Sequence, residues 1–452
     1  MTRSLLLTSF WVNVHLIAVA SLSLRPNTGH TNGVINLPVV RGINLSSQKR
    51  DAKVFSGSAI NDDWSYGIEI DIGTPPQKTF VEIDTGSDQL WVNADCNTAP
   101  TELGQNETCV QIPKFDPSQS STAQNLSVST TLGYGDNTVG AYVGYYSDLV
   151  TISGINLASQ IFGVASETLG MVSGIMGISP PITGFAINQT YPRVLDSMFT
   201  QGFINKRLYG IHLGSSAETE GSLTFGGIDT GKFSGSLEEI PIIKDISNKT
   251  RLTVDYNSLS LTLPNNSPKA YTINDTNVLL DSGTTFIQLE ETVASQVLED
   301  LNAVETVVDQ STTYYIVDCS MRNWTGGLTF TFKNKPITIS YDNLIFTAEG
   351  QCAVGIQPWP VGQQQILGVP FFRAAYAVFD FDAQTAYLAP AANCTTQTMA
   401  ITQYQDLSNI TGSCTNATGA ATSTTVTSSG TTMVANIATC GGITILLMLL
   451  GW

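Results

Sequence analysis

Short stretches of alternating apolar and polar residues, separated by turn residues, fill most of the chain between residues 60 and 395. Residues 66–72 alternate with a period of two, a Gly-Thr-Pro-Pro turn follows, and residues 79–83 form the next apolar run. This pattern is typical of short β-strands between turns. Helical spacing of apolar residues is found at 290–302 and, over a shorter stretch, at 191–201. We therefore predict an all-β fold, mainly strands with a few short helices.

An acidic triplet is repeated in the two halves of the chain, each time at the end of an apolar run. Asp84 begins Asp-Thr-Gly and Asp281 begins Asp-Ser-Gly. At a similar distance downstream, each triplet is matched by two apolar residues and a glycine, at 175–177 and 366–368. The repeat indicates two related β lobes that carry the two aspartates at equivalent places.

Asp84 and Asp281 meet if the two lobes pack face to face. Two carboxyl groups in contact do not both ionise readily, so they share one proton over a broad acidic range. One carboxyl can then take a proton from water, while the other donates a proton to a carbonyl oxygen or a leaving nitrogen. This constellation hydrolyses amide bonds without a metal ion or a nucleophilic side chain. The alternative is a pair of tight turns in which each triplet only caps backbone groups.

Residues beside the two aspartates fit this chemistry. Gly86 and Gly283 leave space for a close backbone approach, and Ser87 and Thr284 supply hydroxyls for the outer carboxylate oxygens. The sequence does not contain the residues that other hydrolases need. His212 is the only histidine after residue 50, and no G-x-S-x-G motif of serine hydrolases and no H-E-x-x-H or C-x-x-C motif of zinc sites is present. We expect His212 to be an ordinary strand residue, and we expect neither a metal ion nor a cofactor.

The first 50 residues read as segments that processing removes. Residues 1–20 have a basic start, an apolar centre and a small-residue end, which predicts a secretory signal peptide. Lys49 and Arg50 form a dibasic cleavage site, so residues 21–50 are predicted to be a pro-segment. After residue 50 the chain carries 15 Lys and Arg against 37 Asp and Glu. This acidic balance argues against a nucleic-acid partner.

The C-terminal end predicts attachment to a membrane. Residues 396–432 form a Ser/Thr-rich stretch, predicted to be a stalk, and residues 433–452 form an apolar tail. Small residues, a polar spacer and an apolar tail are typical of a glycosylphosphatidylinositol (GPI) attachment signal. Small-residue sites at 419–421 and 428–430 both fit the attachment. The alternative is a transmembrane helix, although no basic residue follows the tail.

Cysteines and sequons agree with secretion. Six cysteines remain outside the predicted tail and permit several pairings, among which Cys394 and Cys414 are near neighbours at the end of the body. Sequons for N-glycosylation occur at Asn106, Asn125, Asn188, Asn248, Asn265, Asn274, Asn323, Asn409 and Asn416. We therefore expect a secreted, disulfide-bonded glycoprotein.

Five segments resemble the pepsin-like aspartic proteases and together span nearly all of residues 60–395. They are IDTGSDQLWV at 83–92, GYGDNTVG at 133–140, SGIMGIS at 173–179, LLDSGTT at 279–285 and ILGVPFFRAAYAVFDFDAQTAYLAPA at 366–391. The dibasic site, the stalk and the tail are similar to fungal secreted and surface-anchored members of candidapepsin and yapsin type. The resemblance implies a bilobal fold of two pseudo-symmetric β lobes, at 51–235 and 236–395, with an extended peptide in the cleft between them.

The resemblance also implies roles for individual residues. Asp84 and Asp281 would be the catalytic pair that holds the attacking water. A hairpin flap would close over the substrate, with Tyr134 at its tip and Trp91 packed behind that tyrosine. Contacts to the substrate would come from Gly86, Ser87, Tyr134, Gly135, Asp136, Gly283 and Thr284. The disulfides implied within the lobes are Cys96–Cys109 and Cys319–Cys352.

Two positions depart from the family's pattern. Asp88 stands where a small hydroxyl residue is usual and adds a negative charge near the first lobe's site. Val369 stands where an aspartate commonly follows the glycine of the second lobe. We expect these changes to shift the pH optimum and the nearby subsites rather than to remove activity. A preference for basic substrate residues fits the acidic body, although no acidic subsite can be located from the sequence.

The sequence thus predicts a secreted, GPI-anchored aspartic endopeptidase that hydrolyses peptide bonds at acid pH. We expect a monomer at the cell surface, held to the plasma membrane or the cell wall, with protein or peptide substrates and cell-wall glycan as a further candidate partner. The alternative is a non-catalytic surface glycoprotein that uses the protease fold as a binding module.

Overall fold

β-Strands form 49% of the described chain and helices only 14%, which confirms the mainly β fold predicted from the alternating pattern. The computed structural model describes residues 33–41, 66–99, 105–135, 139–182, 191–218, 220–264, 266–307, 313–348, 350–414, 439–440 and 443–444. Up to residue 235 the strands are β1 (Ile35–Arg41), β2 (Tyr66–Ile72), β3 (Gln77–Asp84), β4 (Leu90–Val92), β5 (Gln124–Tyr134), β6 (Val139–Ile152), β7 (Ile155–Leu169), β8 (Gly174–Gly177), β9 (Leu208–His212), β10 (Glu220–Phe225) and β11 (Gly227–Asp229).

The second half of the chain repeats this strand-rich character. Its strands are β12 (Glu238–Pro241), β13 (Ile243–Lys244), β14 (Thr250–Asp255), β15 (Ser258–Thr262), β16 (Lys269–Tyr271), β17 (Asn277–Leu280), β18 (Ile287–Glu290), β19 (Val304–Val307), β20 (Thr313–Val317), β21 (Gly327–Phe332), β22 (Lys335–Ile339), β23 (Ile345–Ala348), β24 (Gln351–Val354), β25 (Ile356–Trp359), β26 (Gln365–Leu367), β27 (Ala375–Asp380), β28 (Thr385–Pro390) and β29 (Thr398–Ala400). A separate C-terminal unit contains the paired strands β30 (Thr439–Cys440) and β31 (Ile443–Thr444).

Helices are short and few among the described residues. They are α1 (Gln105–Gln111), α2 (Val194–Thr200), α3 (Glu291–Asp300), α4 (Tyr341–Leu344) and α5 (Val369–Ala374), with 3-10 turns at Pro117–Gln119, Thr230–Lys232 and Cys319–Asn323. Helices α2 and α3 lie within the two stretches whose apolar spacing predicts helices. Helices α4 and α5, of four and six residues, are too short for a helical period to show, and α1 (QNETCVQ) has too few apolar residues to set one up.

Thirteen of the described strands join in one sheet, in the order β12-β28-β27-β9-β10-β1-β2-β3-β8-β4-β7-β6-β5. This sheet contains strands from both halves of the chain, because β9 pairs with β10 on one side and with β27 on the other. The second half also builds a six-stranded sheet, β13-β14-β17-β26-β18-β25, and two four-stranded sheets, β16-β15-β21-β22 and β19-β20-β24-β23. The two acidic triplets therefore follow strands of two different sheets.

Equivalent parallel strand pairs position the two triplets. Strand β3 runs parallel to β8 with Asp84 opposite Gly177, and β17 runs parallel to β26 with Leu280 opposite Leu367. Just after these strands, the N–H of Asp281 donates to Leu367 O at 3.1 Å, and that of Ile178 donates to Asp84 O at 2.8 Å. The repeat seen in the sequence is therefore a structural repeat of strand pairs.

The glycine that ends each half of the repeat is required by a close backbone approach. A Cβ at Gly177 would lie 2.5 Å from the backbone nitrogen of Gln89, in the chain that leaves the first triplet. A Cβ at Gly368 would lie 2.2 Å from the carbonyl oxygen of Thr284, which follows the second triplet. A side chain at either position would therefore push an acidic triplet out of place.

Strand β1 comes from the predicted pro-segment, residues 21–50, and lies inside the large sheet. It pairs with β10 from Ile35 to Val40 and meets β2 at Val40 and Arg41. Val39 is fully buried, and Arg41 Nη1 donates to Ser216 O at 2.8 Å. A cut after Arg50 would therefore separate this strand from the following chain without breaking its hydrogen bonds to the sheet.

The folded body continues into the residues predicted to be a stalk, 396–432. Strand β29 pairs with β11, and Ile401 and Leu407 are fully buried. A disulfide between Cys394 and Cys414 encloses this segment. The predicted start of the stalk at residue 396 is therefore wrong, because two apolar side chains downstream of it pack into the body.

Disulfides and sequons fall on the body as follows. Cys96 is bonded to Cys109, and Cys319 is bonded to Cys352, the pairs that the resemblance implies.

Among the sequon asparagines, Asn106 is half-buried, and the exposed ones are Asn125, Asn248, Asn274, Asn323 and Asn409. Asn188, Asn265 and Asn416 lie outside the described residues, as do the predicted signal peptide and most of the predicted tail. No helix in the described ranges is both long enough and apolar enough to cross a membrane.

His212 is a buried strand residue. It ends β9, opposite Ser222 of β10, and only 2% of its surface is exposed. Burial lowers the pKa of His212 to about 4, so the imidazole is neutral at neutral pH. Its position in the sheet agrees with the structural role predicted from the sequence.

Candidate active site

The two acidic triplets bind each other through four hydrogen bonds with a two-fold pattern. The N–H of Thr85 donates to Ser282 Oγ at 3.1 Å, and the N–H of Ser282 donates to Thr85 Oγ1 at 2.8 Å. Thr85 Oγ1 then donates to Leu280 O at 2.9 Å, and Ser282 Oγ donates to Ile83 O at 2.8 Å. Both hydroxyl residues are buried. The triplets are therefore fixed to each other as well as to their own strands.

Each aspartate accepts a hydrogen bond from its own triplet. The N–H of Gly86 donates to Asp84 Oδ1 at 2.7 Å, and the N–H of Gly283 donates to Asp281 Oδ1 at 2.9 Å. Asp281 Oδ2 also accepts from the hydroxyl of Thr284 at 2.9 Å. These donors hold both carboxyl groups in one orientation.

Each glycine of a triplet faces the carboxyl group of the other triplet. A Cβ at Gly86 would lie 2.4 Å from the carboxyl carbon of Asp281, and a Cβ at Gly283 would lie 2.6 Å from Asp84 Oδ1. No side chain fits at either position. Glycine at both places is therefore what lets the two carboxyl groups meet.

The two carboxyl groups share a buried environment that favours one proton. Burial, and after it the negative charge of Asp281, raise the pKa of Asp84 from 3.8 to about 8. The N–H of Gly86 and the nearby hydroxyl of Ser87 lower this pKa by a smaller amount. Ser87 Oγ makes no hydrogen bond of normal geometry to any described residue. The pair therefore carries one proton and one negative charge over a wide range of acid and neutral pH.

Asp88 does not add a free negative charge near the site, which corrects the expectation drawn from the sequence. Its Oδ2 accepts from Arg193 Nε at 2.9 Å and Nη2 at 2.8 Å, and from the N–H of Ile182 at 3.1 Å. The pair is buried, with 0% of the Asp88 side chain and 10% of the Arg193 side chain exposed. The guanidinium also stacks over the ring of Tyr191 at 3.8 Å. The charge of Asp88 is thus balanced inside the first lobe.

The predicted flap is a hairpin of β5 and β6 with Tyr134 at its end. Tyr134 pairs with Val139, and Gly135 follows in a left-handed turn conformation with φ of 58°. The indole N–H of Trp91 donates to the hydroxyl of Tyr134 at 2.6 Å. Asp136, predicted to contact the substrate, lies outside the described residues. The structure thus brings Tyr134 and Trp91 together beneath the tip of the hairpin.

Three residues of the site are missed by the sequence reasoning. The motif alone assigns no role to Thr85 or Ser282, although they occupy the same place in the repeated triplet, and that repetition is a signal for them. Arg193 carries no such signal, because it lies 105 positions from its partner Asp88 and outside any motif.

The described part of the chain offers no set of ligands for a metal ion. No three His, Cys, Asp or Glu side chains there are arranged to hold a metal ion. The two carboxyl groups and their donors are the groups that meet at the site, and with a water molecule they can perform general acid–base chemistry.

Comparison with known proteins matches the arrangement to one family. A family model for eukaryotic aspartyl proteases matches residues 65–391. Candidapepsin-3 of Candida albicans is 33% identical over 351 residues, which cover 75% of this chain and 83% of that protein. A probable aspartic-type endopeptidase of Aspergillus fumigatus is 29% identical over 377 residues, which cover 80% and 74% of the two chains.

A solved structure supports the same fold. The crystal structure of the aspartic proteinase from Irpex lacteus superposes with a TM-score of 0.59, over 80% of this chain and 98% of that chain. Sequence identity to it is 20%, so this likeness speaks for the fold alone. It confirms the predicted bilobal, mainly β architecture.

Proposed function

This chain belongs to the eukaryotic aspartyl proteases, and from that premise we propose that it hydrolyses peptide bonds at acid pH with a water molecule activated by Asp84 and Asp281. The observation that carries the proposal is the mutual fit of the triplets, in which each glycine faces the opposite carboxyl group. Only a site that uses both carboxyl groups at once needs this fit.

The chemistry follows from the single proton on the pair. Asp84, whose pKa is raised by burial and by its neighbour, holds the proton and donates it to the carbonyl oxygen of the scissile bond. The other carboxyl group takes a proton from the attacking water, and a tetrahedral intermediate forms. Asp281 then donates its proton to the leaving nitrogen, and a hydroxyl of the tetrahedral intermediate returns a proton to Asp84; the C–N bond breaks, a carboxylic acid and an amine leave, and the singly protonated pair is restored.

Tyr134 and Trp91 support the reaction by closing the hairpin over the substrate. The hydrogen bond from Trp91 fixes the hydroxyl of Tyr134. Burial and the charge of Asp84 raise the pKa of Tyr134, so it stays a neutral phenol that can exclude water from above the pair. Tyr134, Gly86 and Gly283 are proposed to contact the peptide backbone.

A pH profile of peptide hydrolysis by the full chain tests this proposal. We expect hydrolysis at acid pH that pepstatin inhibits, with kcat/KM falling as the pH rises toward about 8, because the pair then loses its shared proton. The measurement is the initial rate on a fluorogenic peptide across the pH range. Hydrolysis that a metal chelator stops and pepstatin does not would overturn the proposal.

We also propose that the chain enters the secretory pathway and is GPI-anchored at the cell surface. The signal-like residues 1–20, the tail at 433–452 and relatives named secreted aspartic proteases support this. Phosphatidylinositol-specific phospholipase C should release the processed protein from cells that express it. Protein that stays with the membrane after this treatment, as a transmembrane helix would, contradicts the anchor.

A further inference from the structure

Arg251, near the start of β14, reaches from the second half of the chain to the acidic triplet of the first. Its Nη2 donates a hydrogen bond of 2.6 Å to the carbonyl oxygen of Gly86. Gly86 in turn faces the carboxyl group of Asp281. Strand β14 also pairs with β17, the strand that leads to Asp281. The guanidinium group therefore lies beside the candidate dyad and is held there from the opposite lobe.

No carboxylate of the described chain forms an ion pair with Arg251. Three other arginines, Arg193, Arg207 and Arg322, each form an ion pair with an aspartate. Arg251 forms none with any described residue, and its Nε is buried without a hydrogen-bond partner. A half-buried guanidinium without a counterion is unfavourable, and it is conspicuous in a chain with 37 Asp and Glu against 20 Lys and Arg.

We propose that Arg251 is a specificity-determining residue that binds a carboxylate of the substrate, at the substrate residue that lies against Gly86. This inference rests on the proposed peptidase function and names a substrate class for it. The guanidinium carries five N–H donors in a planar fork, of which Gly86 takes one, so a carboxylate can be bound by a pair of the others.

The carboxylate has two sources in a peptide: an Asp or Glu side chain and the C-terminus. Both present the same planar pair of oxygens to a guanidinium. An acidic preference at this subsite differs from the basic preference considered from the sequence, because the charge next to the dyad is positive even though the body as a whole is acidic.

Matched peptides test the inference on the wild-type full chain. One series places Glu or Gln at each position near the scissile bond, and a second compares free and amidated C-termini. Near pH 5, where an unperturbed Glu with a pKa of about 4.3 is mostly ionised, we expect kcat/KM about tenfold higher for the carboxylate at one position, the scale of one charge-assisted hydrogen bond.

Substitutions of Arg251 assign the preference to its side chain. In Arg251→Gln the ratio of kcat/KM for the carboxylate peptides to that for the amide peptides falls to near one, because the carboxylate peptides lose more than the amide peptides do. Arg251→Lys keeps part of the preference, because a charge remains without the planar fork. The control Lys249→Gln removes one positive charge two positions earlier, where no contact to Gly86 exists, and keeps the full preference.

The outcomes separate this inference from the proposed function. Pepstatin-sensitive cleavage with equal rates for every carboxylate and amide pair would overturn the role of Arg251 and leave the peptidase function standing. An equal loss on all peptides in Arg251→Gln would also overturn it, because Arg251 would then only position Gly86. If no peptide is cleaved, both proposals fail. Should Arg251→Gln have a lowered melting temperature, the wild-type ratios decide alone.

Discussion

Alanine at Gly86 inactivates the enzyme, with kcat/KM lowered by about 10²–10⁴-fold, as expected when a reacting group is displaced or proton transfer is lost. The added Cβ would lie 2.4 Å from the carboxyl group of Asp281, closer than non-bonded atoms come. The first triplet cannot retreat, because Thr85 is hydrogen-bonded to Ser282 in the other triplet. Asp281 therefore moves away from its partner, and the shared proton is lost. Initial rates on a fluorogenic peptide measure the effect.

A second glycine on the same lobe supplies the control for this substitution. Gly144 lies in β6, and a Cβ there would meet only the ring of Tyr146, at 4.0 Å. Gly144→Ala should therefore hydrolyse peptide at the wild-type rate, and Gly283→Ala should repeat the loss from the opposite side. Circular dichroism checks that the variants are folded. A Gly86→Ala enzyme that keeps more than about a tenth of the wild-type kcat/KM would contradict the role given to this glycine.

Asp88→Asn destabilises the protein at neutral pH, lowering the free energy of unfolding by about 3–5 kcal/mol. The substitution leaves the guanidinium of Arg193 buried without its counterion, and 10% exposure of that side chain lets little water replace the carboxylate. Urea denaturation at neutral pH measures the change.

An exposed ion pair gives the comparison for this buried one. Arg207 pairs with Asp382, with 39% and 26% of the side chains exposed, so Asp382→Asn should cost less than about 1 kcal/mol. Combining Asp88→Asn with Arg193→Met should recover most of the lost stability, because no buried charge remains. If Asp88→Asn lowers the free energy of unfolding no more than Asp382→Asn does, the buried pair of Asp88 and Arg193 does not stabilise the fold as predicted.

The strands and the dyad can be predicted from the sequence because their signals are local. A period of two marks β2 and β3, and the triplets at Asp84 and Asp281 each occur with a matching downstream glycine. The contact between Trp91 and Tyr134 spans 43 positions, and only the resemblance to a family indicates it. The local sequence pattern thus predicts the strands and the two aspartates, whereas the contact between Trp91 and Tyr134 is predicted only from the resemblance to the protease family.

Long-range partners are what the sequence leaves out. Asp88 beside a reactive motif suggests an added charge until Arg193 is found 105 positions away. Arg251 gives no signal at all, because its neighbour Gly86 is 165 positions distant. Residues 396–414 are predicted to be part of a stalk because they are mostly polar, and the apolar residues Ile401 and Leu407 are too isolated to form a strand or helix pattern. In the structure both side chains are buried in the body. In each case the deciding contact forms only after the chain has folded back on itself.

The hydrogen bonds between the triplets also determine when, during biosynthesis, the site can first exist. Thr85 and Ser282 are separated by 197 positions, and contacts between such distant residues close late in folding, because a long loop has to be ordered first. Neither half of the chain contains a complete dyad. A nascent chain therefore cannot carry the complete site until both triplets have been synthesised and the two halves have folded together.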